Sequence, residues 1–76
     1  MNSRTYRIVI NGHLFTVDLP VLAVVQIRAL AGIPEAHTLV VEGNGESPDR
    51  WLTEDNLVSL EEGPAHVYTM PPTMMG

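Results

Sequence analysis

A chain of 76 residues makes one small domain. At this length folding buries only about 60% of the unfolded surface, which leaves no room for an enclosed active-site cavity beside the core. The composition, 45% apolar and 17% charged, is that of a folding chain rather than a disordered one. With no cysteine, disulfide frameworks, CxxC redox sites and thiolate zinc sites are excluded. Nine acids against four arginines (Arg4, Arg7, Arg28 and Arg50) set the net charge at −5, a balance that repels nucleic-acid phosphate.

The chain opens on MNSRTYR, which has no apolar stretch of the signal-peptide kind. No apolar run approaches the ~18 residues of a membrane span, so the expectation is a cytoplasmic protein without membrane contact. The first strand is expected within Thr5 to Ile10 and the second from His13 to Val17, both rich in β-branched and aromatic residues. Asn11-Gly12 between them is a strong hairpin signal, since a type I′ turn needs positive φ at both central positions. A two-residue loop also sets the register: Ile10 opposite His13, Val9 opposite Leu14, Ile8 opposite Phe15, Arg7 opposite Thr16 and Tyr6 opposite Val17. Tyr6, Ile8, Ile10, Phe15 and Val17 then share the core face, and Arg7, Val9, Leu14 and Thr16 the other.

Pro20 to Ala31 reads as a helix, with Val24, Ile27, Leu30 and Ala31 at helical spacing and Pro20 suited to a first turn. Gly32, Ile33 and Pro34 have the order of a Schellman ending. Thr38 to Glu42 reads as a strand and Gly43 to Asp49 as a loop. Trp51-Leu52 is an apolar step for a brief edge strand, with Trp51 expected as a half-buried cap over the lower core. Thr53 to Asn56 suits a single helical turn, after which Leu57 and Leu60 are expected to face inward. Glu61 to Pro64 is a turn, Ala65 to Met70 the last strand, and Pro71-Pro72 its stop. The last strand most simply lies between the first and third, parallel to the first. This predicts an α+β fold with a mixed sheet of four to five strands and one helix across one face.

The segments YRIVINGHLFTVD, IRALAGIP, TEDNLVSLEEG and VYTMPP, in this order from about Tyr6 to Pro72, carry a resemblance to the ubiquitin-like β-grasp superfamily, and within it to the bacterial multiubiquitin-type family. The resemblance implies a domain over residues 1–70 and a conjugation tail over 71–76. It implies a protein modifier rather than an enzyme, activated at its C-terminal glycine, Gly76. The expected partners are an E1-like activating enzyme, an E2-like conjugating enzyme, a JAB-type or other processing peptidase, and target proteins. Glycine suits that position because a residue without Cβ allows close backbone approach by successive nucleophiles.

The tail departs from that of eukaryotic ubiquitin. It has no paired arginines, and it ends Met75-Gly76 rather than Gly-Gly. Tail recognition through Thr73, Met74 and Met75 is therefore expected to be apolar, and methionine adapts well to irregular grooves. An average chain of this length carries about four lysines; this one has none. A genome that favours arginine accounts for that, and so does a modifier confined to mono-modification or head-to-tail linkage through the Met1 amine. Two other readings use the same fold: a β-grasp sulfur carrier with a C-terminal thiocarboxylate, and a non-conjugated interaction module.

Away from the tail, the expected partner surface is the outer sheet face: Val40, Tyr68, Met70, Val9, Leu14 and His66, extended by Arg7. His13, His37 and His66 lack the local spacing of metal ligands, so no metal and no cofactor are expected. Asp18, Glu54, Asp55, Glu61 and Glu62 fall at turns and helix starts, where acids favour the dipole and water, and no catalytic role is expected of them.

Overall fold

The computed structural model describes residues 4–43 and 45–72. The Asn-Gly turn forms as its chemistry requires, with φ of 52° at Asn11 and 83° at Gly12. It joins β1 (Tyr6–Ile10) to β2 (His13–Val17) in the expected register, from Tyr6 opposite Val17 to Ile10 opposite His13. The turn does more than reverse the chain. The Asn11 N–H donates to the Val67 carbonyl at 2.8 Å. Its side-chain Oδ1 accepts from the Thr69 N–H, and its Nδ2 donates to Thr69 Oγ1, both at 3.0 Å. Asn11 thus extends the ladder past the end of β1 and satisfies a strand N–H that β1 no longer reaches.

The helix is shorter than its periodicity predicts. Residues Val21–Ala23 form a strand, β3, and the helix α1 runs only over Val24–Ala31. The partner of β3 is β6 (Leu57–Ser59), with Leu22 opposite Val58. The Leu60 N–H donates to the Pro20 carbonyl at 2.7 Å, so Pro20 serves this small sheet instead of a helical turn. The Ala23 N–H, one residue ahead of the helix, donates to Gln26 Oε1 at 2.8 Å, which satisfies a donor at the helix start. The C-terminus ends as expected. Gly32 is left-handed (φ 65°, ψ 41°), and the Ile33 N–H returns to the Arg28 carbonyl at 2.9 Å, the six-to-one bond of a Schellman ending.

β4 (Thr38–Val41), β5 (Arg50–Leu52) and β7 (Ala65–Met70) complete the main sheet, in the order β2-β1-β7-β4-β5. β7 lies between β1 and β4, parallel to β1 and antiparallel to β4. The fold is α+β: a mixed five-stranded sheet, a second sheet of β3 and β6, and one helix, in the β-grasp arrangement. One core joins them. Ile8, Ile10, Leu39, Leu52 and Val67 come from the main sheet, Leu22, Val58 and Leu60 from β3, β6 and the residue after it, and Val24 and Ile27 from the helix.

Two inward-facing expectations are corrected. Leu57 is 60% exposed, while Val58 and Leu60 are buried, because β6 alternates as a strand does and pairing Val58 with Leu22 turns Leu57 outward. Trp51 is 63% exposed. Leu52, opposite Leu39, takes the inward position on β5, so Trp51 stands on the opposite face. The turn at Thr53 to Asn56 does form, with the Asn56 N–H on the Thr53 carbonyl at 3.0 Å and the Thr53 N–H on Asn56 Oδ1 at 2.8 Å.

Candidate functional site

The strand registers place the surface residues of the main sheet in rows. Leu14, Val9 and His66 stand side by side across β2, β1 and β7. Tyr68, Val40 and Trp51 form the next row across β7, β4 and β5. Met70 pairs with Thr38 one step further on. The residues expected to form a partner surface therefore do share the face opposite the helix. Leu14 is well exposed, His66 and Met70 are exposed, and Val9 and Tyr68 are half-buried.

Val40 is the exception. It lies on this face but is fully buried, so it is a floor and not a contact. The geometry of Tyr68 gives the reason. Its hydroxyl donates to Asp49 Oδ2 at 2.8 Å. Asp49 precedes β5, and β4 separates β5 from β7. The phenol must cross β4 to reach it, and Val40 is the β4 residue directly opposite Tyr68. Trp51 flanks Val40 from the other side.

Asp49 is held at both oxygens. Its Oδ1 accepts from the Gly43 N–H at 2.8 Å, closing the loop between β4 and β5. A Cβ at Gly43 would meet the Pro48 carbonyl carbon at 2.6 Å, so this closure requires glycine. The backbone N–H of Gly43, and then the Tyr68 hydroxyl, stabilise the charged carboxylate and hold Asp49 below its ordinary pKa. The Tyr68 phenol is pushed up, first because it donates to Asp49, then by partial desolvation and by the charges of Asp49 and Glu42.

A family model described as multiubiquitin matches residues 6–71. The chain belongs to the multiubiquitin family. No curated protein and no solved structure matches it. The match and the β-grasp fold agree with the resemblance carried by the hairpin, the helix ending, the acidic turn and the last strand.

In this multiubiquitin domain the expected conjugation residue Gly76 and the tail residues Thr73, Met74 and Met75 lie outside the described residues. The strand that leads to them, β7, ends at Met70, and Pro71 and Pro72 are exposed. Among the described residues no three of the His, Asp and Glu side chains gather as metal ligands would. Asp18, Glu54, Asp55, Glu61 and Glu62 are all exposed. Glu54 is spoken for by Arg28, whose Nη2 lies 3.2 Å from its Oε2, while Arg28 Nη1 donates to the Pro34 carbonyl at 2.7 Å. Among the described residues no helix is long and apolar enough to cross a membrane.

Two surface residues escaped the sequence reading. Trp51 had a usable signal: with Leu52 inward, strand alternation puts it outside. Asp49 had none, because its bond to Tyr68 joins residues far apart in sequence.

Proposed function

We propose that this multiubiquitin domain is a ubiquitin-like protein modifier of bacterial type, conjugated through the carboxyl group of Gly76. The observation that supports it is the exit of the chain from the fold. β7 is the central strand of the main sheet, and it gives way at Met70 to two exposed prolines, which cannot donate to a ladder. A segment leaving a rigid sheet in this way suits entry into another protein's active site.

The chemistry belongs to the partners. A carboxylate is a poor electrophile. An E1-like enzyme would add it to the α-phosphorus of ATP, releasing pyrophosphate and leaving an acyl-adenylate. A cysteine thiolate of E1 would displace AMP, a thiol of an E2-like enzyme would take the acyl group by exchange, and a target amine would displace that thiol and lose a proton. Where the natural product runs past Gly76, a JAB-type peptidase would first expose the carboxyl group. With no lysine in the chain, a copy already attached offers no side-chain amine to the next, so targets would carry single copies or head-to-tail linkages.

The test is incubation of the full chain with an E1-like activating enzyme and Mg-ATP, followed by intact mass spectrometry. A thiol-sensitive adduct that disappears when Gly76 is deleted supports the proposal. Exchange of a carboxyl oxygen for sulfur would make the chain a sulfur carrier instead. A second reading, an interaction module that is never conjugated, draws on the exposed Leu14, Trp51 and Met70 of the outer face. Full biological activity of the Gly76 deletion would establish it over the first.

A further inference from the structure

We propose that the Trp51 end of the outer face docks a partner protein through an arginine side chain, laid on the indole and paired with the carboxylates of Asp49 and Glu42. The inference does not depend on conjugation at Gly76. Trp51 is the chain's one tryptophan, and 63% of it is exposed. Exposing so large an apolar ring costs solubility and gains nothing for the core, and tryptophan is the residue most often found at the energetic centre of interfaces.

The surroundings select the occupant. Asp49 stands two residues before Trp51, about 7 Å along an extended chain and on the same side. Glu42 follows β4 directly and is exposed; one step beyond Val41 opposite Arg50, the antiparallel register of β4 and β5 brings it opposite Asp49, and strand alternation puts it on the side of Val40. Its charge reaches the Tyr68 phenol. Two carboxylates therefore sit beside an aromatic platform. Asp49 accepts one hydrogen bond at each oxygen, and a carboxylate oxygen can accept two, so Asp49 keeps acceptor capacity after closing the loop. A planar guanidinium matches both requirements at once, stacking on an indole and donating in its own plane to carboxylates. A second copy of the chain is a poor candidate, because it brings another −5 of charge to a face that already repels it.

Tyr68 occupies the other flank of Val40. Tied to Asp49, it closes over Val40 and keeps an apolar side chain from entering there, which leaves the indole as the accessible aromatic surface. The predicted partner is thus basic at its contact and flat rather than an apolar knob.

The probe is a short blocked peptide containing arginine, with the same peptide carrying citrulline as an uncharged isostere. Binding is read by the fluorescence of the single tryptophan and by amide and indole N–H shifts. The expected result is saturable shifts centred on Trp51, Glu42 and Tyr68 with the arginine peptide and none with citrulline. Trp51→Ala should weaken binding about tenfold. Glu42→Gln, which leaves the Tyr68–Asp49 bond intact, should weaken it severalfold, and deletion of Gly76 should leave it unchanged. Absence of saturation, equal binding of citrulline, shifts centred on Leu14 and Val9, or undiminished binding by Trp51→Ala would overturn the proposal.

Discussion

The two faces of the main sheet use the same strands and are held by different means. On the inner face Ile8, Ile10, Leu39, Leu52 and Val67 pack against the helix residues Val24 and Ile27, and the cohesion is that of a close-packed core. On the outer face the one fully buried side chain among the described residues, Val40, stands outside that cluster. It is covered by a half-buried tyrosine tethered through its hydroxyl to Asp49. The comparison teaches that burial on the outer face rests on a polar contact at the surface, so the two faces should respond differently to mutation and to pH.

The largest effect is expected on the inner face. Ile27 is completely buried at the centre of the helix, in one cluster with residues of the main sheet and of the β3–β6 pair. Ile27→Ala should lower stability by about 2–5 kcal/mol, measured by urea denaturation. A loss below about 1 kcal/mol would mean that the helix is not a wall of the core.

Val40→Ala is the matching test outside. Removing two buried methyl groups should cost about 1.5–3 kcal/mol if the Tyr68 ring closes over them as an inner-face neighbour would. The cost should shrink in a Tyr68→Phe background, where the tether is gone. Strict additivity of the pair would show that the tether does not govern the cover.

The hairpin turn contributes next. Asn11→Gly keeps the left-handed backbone but deletes the two side-chain bonds to Thr69, for an expected loss of about 1 kcal/mol. Asn11→Ala should cost about 1–2 kcal/mol more, because alanine resists positive φ. Equal effects of the two substitutions would assign the whole role of Asn11 to its side chain.

These elements differ in how far the sequence revealed them, and the difference follows the range of the interactions. The hairpin, its register and the Schellman ending at Gly32 were legible because each is decided by residues within a few positions. β3 was not. Val21 and Ala23 precede Val24 and Ile27 at helical spacing, and only pairing with Leu57, Val58 and Ser59, from the far side of β4 and β5, turns Val21–Ala23 into a strand. The same pairing turned Leu57 outward. On the candidate surface, strand alternation found the face that holds Val9, Leu14, His66, Tyr68 and Met70. It could not find that a phenol reaching across β4 closes over Val40, since that depends on where the Gly43–Asp49 loop brings one carboxylate.

The smallest effect at neutral pH, and the sharpest test of the tether, is expected from Tyr68→Phe. Asp49 is exposed and Tyr68 half-buried, so the contact is well screened and the mutant should differ little from the parent near pH 7. Its pH dependence should differ at both ends. Asp49 has a folded-state pKa below its unfolded value, so its contribution is present above the unfolded value near 3.8 and is lost as pH falls through the folded one. Tyr68 is shifted the other way. Its contribution is present below the unfolded value near 10.0 and is lost as pH rises through the folded one. Phenylalanine removes the alkaline loss that belongs to residue 68 and reduces the acid one. It should not abolish the acid loss, because the larger cause of the Asp49 shift is the Gly43 N–H, which the substitution leaves in place. NMR titration of the Asp49 carboxyl carbon reads this directly: in Tyr68→Phe its pKa should rise part of the way toward the ordinary value. A complete return would transfer the anchoring of Asp49 from the loop backbone to the phenol, and no movement would dissolve the tether that holds the phenol over Val40.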